Sequence, residues 1–197
     1  MHFDDGGQHI INFNAPEDVY VDFNNAPNPG TQVTLALNGT IHDDLLTHNN
    51  SRVFVTDGSI GDDIRSFNNS RVTITGGTIG GDLWVHDDSQ VIIAGGTIGM
   101  TLDVAYNGLL TIWGTDFAID GSDVDYGEII AGIAGSHLTG ILDSGEVIDN
   151  DFFVRQTASI ILIPEPATFF LLLVGGVGLV RRRKKRGQRK KRGHSTF

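Results

Sequence analysis

Apolar residues recur every 19 residues through the middle of this chain. The repeating units cover residues 39–57, 58–76, 77–95 and 96–114. Each unit opens with Gly-Thr or Gly-Ser followed by an isoleucine, at Ile41, Ile60, Ile79 and Ile98. Later in each unit two apolar residues stand two positions apart, as in Val53-Phe54-Val55 and Val72-Thr73-Ile74. This alternation of β-branched residues predicts strands, and Gly and Asn interrupt the pattern too often for helices.

A sustained repeat of about 20 residues is typical of a solenoid, in which stacked units bury a shared core. The sequence therefore predicts an all-β fold, a parallel β-helix (β-solenoid) of 19-residue coils, followed by a C-terminal hydrophobic helix and a basic tail. Equivalent residues would lie about 4.8 Å apart along the stack. The predicted divisions are an N-terminal cap or pair of entry strands at 1–38, repeats at 39–118 with a partial unit from 115, a C-terminal β cap at 119–163 and a terminal segment at 164–197.

An acidic position recurs in successive units, at Asp44, Asp63 and Asp82. Carboxylates stacked about 4.8 Å apart repel one another by about 0.9 kcal/mol even in water. A bound Ca²⁺ would reverse this cost, because calcium prefers clustered carboxylate oxygens. The other interpretation is a solvated acidic stripe that keeps the protein soluble. We favour the stripe and commit neither a metal site nor a cofactor, with Ca²⁺ at these three residues as the alternative hypothesis.

The remaining polar columns favour structural roles. One turn position is shared by Asn50, Asn69, Asp88 and Asn107, which predicts a ladder of side-chain amides. Arg52 and Arg71 share another column, and we expect these arginines, like Arg65 on an adjoining strand, to pair with neighbouring Asp residues. His48 and His86 share a column in which Phe67 lies between them, and this predicts a surface ladder of aromatic and imidazole rings.

No catalytic residue is predicted. Parallel β-helices that cleave polysaccharides use paired carboxylates or a basic residue among long loops. Here the units are even in length, and no lysine precedes Lys184. Trp84 and Trp113 could stack on sugar rings. A small carbohydrate-active β-helix enzyme, a polysaccharide lyase or hydrolase, is the alternative to a non-enzymatic protein, but an acidic body repels acidic glycan substrates.

The last residues of the sequence follow a different pattern. Pro164-Glu165-Pro166 is followed by an uncharged apolar run of 14 residues at 167–180. A basic cluster comes next, formed by Arg181, Arg182, Arg183, Lys184, Lys185 and Arg186. A helix over this run would be about 21 Å long, which is short for a hydrocarbon core of ~30 Å. The run therefore predicts a weak, transient transmembrane helix.

The net charge of the sequence changes from negative to positive at the end of this apolar run. Residues 1–180 carry 4 − 24 = −20, and residues 181–197 carry +10, which together give the net charge of −10. The positive-inside rule places the basic tail in the cytoplasm and the acidic body across the membrane. A nucleic-acid-binding arm is the alternative interpretation of the tail. That alternative leaves the apolar run unexplained, so we expect no nucleic-acid partner.

This order of short motif, apolar helix and basic cluster resembles the PEP-CTERM sorting domain of Gram-negative-type bacteria. The motif is Pro164-Glu165-Pro166-Ala167-Thr168, and the basic tail at 181–197 is longer than is usual in the family. The resemblance implies recognition by an exosortase, a membrane-embedded processing enzyme. It also implies a transient inner-membrane intermediate with a cytoplasmic C-terminus, and a mature protein at the cell surface or outside the cell. Exopolysaccharide is a further partner that the family resemblance suggests.

The first residues do not resemble an export signal, since Met1-His2-Phe3-Asp4-Asp5-Gly6-Gly7 has neither a basic nor an apolar region. Either translation starts upstream or the sequence is a fragment. A tail anchor that leaves the acidic body in the cytoplasm is the third interpretation. The absence of cysteine excludes disulfide and thiolate-metal chemistry. We therefore expect an exported, non-enzymatic cell-surface or extracellular-matrix protein whose acidic solenoid is a structural or binding module.

Overall fold

The computed structural model describes residues 1–23, 29–130 and 133–164, and only the backbone of residues 130, 133 and 134. Regular structure in these ranges consists of β-strands alone. The strands are β1 His2–Phe3, β2 Gln8–Ile11, β3 Asn14–Ala15, β4 Val19–Val21, β5 Gln32–Leu35, β6 Thr40–Ile41, β7 Leu45–Thr47, β8 Arg52–Val55, β9 Ser59–Ile60, β10 Ile64–Ser66, β11 Arg71–Ile79, β12 Leu83–Val85, β13 Gln90–Ile98, β14 Leu102–Val104, β15 Leu109–Ile119, β16 Ser122–Asp123, β17 Gly127–Ile130, β18 Ile133–Leu142, β19 Val147–Val154 and β20 Ser159–Pro164. All belong to one hydrogen-bonded sheet in which parallel pairs predominate. The predicted all-β class is confirmed.

Strand pairing in the repeat region follows the 19-residue interval. Strand β10 lies between β7 and β12, and Ile64 is in register with Leu45 on one side and Leu83 on the other. Strand β11 lies between β8 and β13 in the same parallel arrangement. A shift of one residue would turn every buried side chain outward. The spacing of apolar residues therefore sets the register.

The interior is filled by the columns of apolar residues that the repeat predicts. Those that are at most 1% exposed include Ile41, Ile60 and Ile79; Leu45, Ile64, Leu83 and Leu102; Val53, Val72, Val91 and Leu110; and Val55, Ile74, Ile93 and Ile112. Burial of one such side chain contributes about 1.5–3 kcal/mol. Ile98, which opens the fourth unit, is only partly buried and packs against this core.

Positive φ angles recur at the same position of successive units. Gly58 directly precedes β9, whereas Gly77 and Gly96 lie within β11 and β13, and their φ values are 84°, 85° and 83°. Glycine adopts this conformation without the penalty that a Cβ atom brings. Three members of the predicted amide ladder share a similar backbone, with φ values of 62°, 64° and 66° at Asn69, Asp88 and Asn107. Asn and Asp are the side chains that best tolerate this region, which accounts for the residue types of the column.

Residues 1–38, the predicted N-terminal cap, contain strands that continue the parallel stack. Strand β1 pairs with β4 and β4 with β7, while β2 pairs with β5 and β5 with β8. Val19 is in register with Leu45, and Gln32 with Arg52. These intervals are longer than 19 residues and differ from each other. A search for a fixed period therefore does not detect this region.

Beyond the fourth unit the chain leaves the parallel stack and later returns to it. Thr115 pairs antiparallel with Ile141, and β18 pairs antiparallel with β19. Residues 115–118, predicted as a partial fifth unit, thus belong to an antiparallel meander. Phe152 is then in parallel register with Leu102, an interval of 152 − 102 = 50 residues. Strand β20 follows this return, and its Leu162 is buried.

Candidate functional site

The acidic column supplies hydrogen-bond acceptors to the backbone of the next unit. Asp44 Oδ1 accepts a hydrogen bond from the Asp63 N–H at 3.0 Å, and Asp63 Oδ1 accepts one from the Asp82 N–H at 2.7 Å. The column continues in both directions. At one end Asp18 Oδ1 accepts a hydrogen bond from the Asp44 N–H at 3.1 Å. At the other end Asp82 Oδ1 accepts one from the Thr101 N–H at 2.8 Å. A buried N–H without an acceptor costs free energy. Each carboxylate therefore has a structural role at a corner of the stack.

Arg65 neutralises part of this acidic column. Its Nη1 lies 3.1 Å from Asp44 Oδ2, and its Nη2 lies 2.7 Å from Asp63 Oδ2. The hydrogen bond to Asp63 is the main cause that raises the pKa of Arg65. The guanidinium carbon also lies 5.9 Å from the centroid of the Trp84 ring, within cation–π range. The prediction that Arg65 pairs with neighbouring Asp residues is confirmed.

Three carboxylates approach closely enough to share a cation. One ligand oxygen from each of Asp44, Asp62 and Asp63 lies within 4.8 Å of the others. Two of these residues, Asp44 and Asp63, are candidate calcium ligands from the sequence. The third sequence candidate, Asp82, is not part of this cluster, and Asp62 takes its place. The nearby Asp63 carboxylate raises the pKa of Asp62, as like charges do. Calcium at this corner stays an alternative hypothesis, and an entering ion would approach two carboxylates that Arg65 already binds.

A column of aromatic and imidazole rings follows another corner of the stack. The His48 ring stacks on Phe67 at a centroid distance of 5.0 Å, and Phe67 meets the edge of His86 at 5.9 Å. Phe23 and Tyr106 extend the column at its two ends, 5.0 Å from His48 and 5.7 Å from His86. The predicted ring ladder is confirmed. Burial lowers the pKa of His48, so this ring is neutral at pH 7 and packs as an uncharged group.

Trp84, His86 and Asp103 form a polar cluster beside the ring ladder. Trp84 is in register with Asp103, and its ring centroid lies 5.4 Å from that of His86. The His86 Nε2 atom lies 3.5 Å from Asp103 Oδ1, and Arg155 binds the other carboxylate oxygen. The indole nitrogens of Trp84 and Trp113 are both buried. Neighbouring atoms therefore cover each indole N–H, and sugar stacking on these rings stays a prediction.

Arg52 and Arg71 differ from the other arginines of the body. They are in register on β8 and β11, and both are exposed. Within residues 1–23, 29–130 and 133–164, arginine ion pairs form at Arg65 and Arg155 and not at these two residues. The prediction that they pair with neighbouring Asp residues is wrong, because from β2 to β15 no carboxylate shares the columns in which they and their outward neighbours lie.

The antiparallel meander contains a cluster that the sequence does not reveal. His137 Nδ1 lies 2.8 Å from Asp151 Oδ1, and its Nε2 lies 2.6 Å from Asp149 Oδ1. Asp120 Oδ1 accepts a hydrogen bond from the His137 backbone N–H at 2.9 Å. The bonds to Asp151 and Asp149 raise the pKa of His137, because both ring nitrogens are donors only in the imidazolium form. Asp149 and Asp151 lie two apart on one strand, but nothing local indicates that His137 lies opposite.

The predicted processing motif begins where the described chain ends. Strand β20 extends to Pro164, the last described residue. Glu165, Pro166, Ala167 and Thr168 lie outside the described residues, as do the predicted helix at 167–180 and the basic residues at 181–197. In the part of the chain that the structure describes, no helix has the length and apolar character needed to cross a membrane.

Residues 162–184 match a family model described as the PEP-CTERM protein-sorting motif. No curated protein and no solved structure shows a significant match to the chain. The matched segment starts at Leu162, so it overlaps the end of β20. The predicted sorting motif is confirmed. Residues 162–184 are a PEP-CTERM sorting motif, which marks an exported protein that transits the membrane and is recognised by exosortase.

Proposed function

We propose that this chain is a non-enzymatic protein of the cell surface or extracellular matrix, which exosortase processes within residues 162–184. Its acidic body serves as a structural and binding module. The observation that carries this proposal is the position of the sorting motif, which begins at Leu162, a buried residue of the final strand. The folded body and the signal for export are thus contiguous, with no spacer between them.

We infer that the body is a parallel β-helix with three strand segments in each turn. In the repeat region each segment pairs in parallel with the equivalent segment of the next unit, as β7, β10, β12 and β14 do. The return of β19 to β14 after the meander adds a further turn in the same register. Buried isoleucine, leucine and valine columns along the stack support this arrangement.

Charge supports the proposed orientation in the membrane. The body to residue 180 carries 4 − 24 = −20, and residues 181–197 carry +10. A basic segment beside an apolar run stays on the cytoplasmic side. The acidic body therefore lies outside the inner membrane while the tail is held inside, until processing releases the body.

The use of the acidic side chains supports a structural role. Asp44 and Asp63 each accept a backbone hydrogen bond with one oxygen and contact Arg65 with the other. Carboxylates engaged in this way are poor candidates for the proton donor and acceptor pair of a glycosidase, which must exchange protons with substrate or water.

The final strand restricts where processing can occur. Residues 127–130 of β17 pair antiparallel with residues 159–162 of β20, with Gly127 opposite Leu162. A processing enzyme needs an extended segment that is free of such pairing, so the cut bond lies C-terminal to Ile163. A cut after that point leaves Leu162 and the rest of the described core in the product.

The test is mass spectrometry of the protein released by a bacterium that carries an exosortase. The wild-type product should end at or after Ile163 and lack the basic tail. A variant with Pro164→Ala and Pro166→Ala should remain at full length in the membrane fraction, whereas the exposed Pro29→Ala control should be processed normally. Intact wild-type polypeptide dissolved in the cytosol would disprove the proposal.

The non-enzymatic part has its own test. The released protein is incubated with a panel of neutral and acidic glycans, and reducing ends and unsaturated products are measured. We expect no turnover above a heat-denatured control. Sustained turnover would instead establish the alternative, a carbohydrate-active lyase or hydrolase.

A further inference from the structure

One face of the sheet differs in charge from the rest of the acidic body. The outward residues of β2, β5, β8, β11, β13 and β15 form columns in parallel register. The first column consists of Gln8, Gln32, Arg52, Arg71, Gln90 and Leu109. The second column runs from Ile10 to Thr111 and places Thr34, Phe54 and Thr73 beside the two arginines. We call these two columns the flat face, and neither contains a carboxylate although the chain has 24 acidic residues.

The two arginines at the centre of the flat face form no ion pair with any residue that the structure describes. Arg52 and Arg71 are neighbours in register, so their strands lie about 4.8 Å apart. Arg65 and Arg155 bind carboxylates, but within the described ranges Arg52 and Arg71 bind none. Like charges on adjacent strands repel each other, and an anion that lies against both would remove this repulsion. Each guanidinium has five N–H donors in a fork that matches a carboxylate.

We propose that the flat face binds an acidic polysaccharide, with its carboxylates on Arg52 and Arg71. This inference deepens the proposed binding role and depends on it, because export gives the body access to glycans. The surrounding residues suit such a ligand. Gln32 and Gln90 can donate to and accept from sugar hydroxyls, and the half-exposed Phe54 offers a ring on which a sugar can stack.

The net charge of the body opposes a polyanion over most of its surface. At physiological ionic strength this repulsion is screened over about 8 Å, so it acts mainly near the carboxylates themselves. The flat face lacks carboxylates in its two columns and carries Arg52 and Arg71, so it is the part of the body where a carboxylated chain meets the least repulsion. A second copy of this chain fits less well, because a two-fold pairing of flat faces would bring the arginines of both copies together.

The experiment measures binding of polygalacturonate, a carboxylated polysaccharide, to the full chain in detergent micelles by calorimetry, with dextran as the neutral comparison. The Arg52→Gln/Arg71→Gln variant removes both cations and introduces the residue that already occupies the same column at Gln32 and Gln90. We expect polygalacturonate affinity to fall about tenfold in this variant. Wild-type binding should weaken at high salt, and dextran should not bind.

A matched control changes the net charge equally on another part of the same strands. Thr78 and Thr97 are exposed and in register on β11 and β13. The Thr78→Glu/Thr97→Glu variant also lowers the net charge by two, and it should retain wild-type affinity. The melting temperatures of all three proteins show whether each variant is folded.

Several results would overturn the proposal. These are no binding of polygalacturonate to the wild type, equal binding by the Arg52→Gln/Arg71→Gln variant, and equal weakening in the control. Light scattering is measured in parallel, and self-association that this variant abolishes would assign the face to a second copy instead. Shortening of the polygalacturonate chains would disprove the non-enzymatic function. The affinities of the wild type and the two variants could still be compared.

Discussion

The substitution Asp63→Ala tests whether backbone hydrogen bonds are the reason for the acidic column. Asp63 is only 7% exposed, its Oδ1 accepts from the Asp82 N–H at 2.7 Å, and its Oδ2 lies 2.7 Å from Arg65 Nη2. Loss of the acceptor for this part-buried N–H costs about 1–3 kcal/mol. Loss of the ion pair adds at most about 1 kcal/mol, because the Arg65 side chain is 37% exposed and retains Asp44 as a partner. We therefore expect a total destabilisation of about 1–4 kcal/mol.

Asp63→Asn is the matched control for this substitution. The asparagine amide oxygen can still accept from the Asp82 N–H, but its NH2 group cannot accept from Arg65, so the hydrogen bonds from Arg65 Nε and Nη2 are lost with the charge. Because Arg65 is partly exposed and retains Asp44, we expect a cost of about 1 kcal/mol or less. Urea unfolding of the purified full chain, followed by circular dichroism, gives the free energy of unfolding for each protein. Thermal unfolding gives the melting temperature, and for a protein of this size each kcal/mol of destabilisation lowers it by about 2–4 °C. The alanine variant should therefore melt clearly below the asparagine variant.

Equal destabilisation by alanine and asparagine would refute this reasoning, because it would assign the energy to the ion pair with Arg65 alone. The same proteins test the calcium hypothesis. We expect the wild-type Tm to be the same in chelator and in millimolar calcium, since Arg65 and backbone N–H groups already engage the Asp44 and Asp63 oxygens. A calcium-dependent rise in Tm that both variants lose would establish the predicted site.

Three further predictions concern pH, core packing and close backbone contact. The raised pKa of His137 means that its hydrogen bonds contribute stability that is fully present below the unfolded value of about 6.5 and is lost as pH rises through the folded pKa. The Tm should therefore fall as the pH rises above about 6.5, and this decrease should be smaller in the His137→Gln variant. The same pH dependence of Tm in the variant and the wild type would contradict this role. Ile74→Ala should cost about 2–5 kcal/mol in urea unfolding, whereas the outward Thr73→Ala on the same strand should cost about 0.5 kcal/mol; similar costs would argue against the assigned faces. Gly80→Ala should lower the Tm, because its Cβ would lie 2.3 Å from the Gly61 carbonyl oxygen; a normal Tm would show that the units are less tightly stacked.

The repeat made the central part of the fold predictable. Residues at the same position in each unit come into register, so the column of His48, Phe67 and His86 could be identified before the rings were seen in contact. The same logic identified the buried isoleucine, leucine and valine columns. Burial on one face of a strand allows only one register, which is why a simple interval was sufficient.

The parallel pairing of β19 with β14 does not follow from the 19-residue interval, because Leu102 and Phe152 are 152 − 102 = 50 residues apart and the antiparallel meander lies between them. The sequence contains one signal for this pairing. Val154 and residues 159–162 repeat the apolar spacing of Val85 and residues 90–93. Pairing across such an insertion depends on which edges meet in space, and a local pattern does not contain that information.

The sequence by itself determined the strand register of the repeats, the separation of acidic and basic charge, and the sorting motif at 162–184. Each of these depends on the identity and spacing of residues, which are local properties of the chain. Only the tertiary structure decided that Arg65 pairs with Asp44 and Asp63 while Arg52 and Arg71 pair with no acid in the described ranges. A charged side chain can reach only the groups on its own face and corner, and the folding of distant segments decides which groups those are.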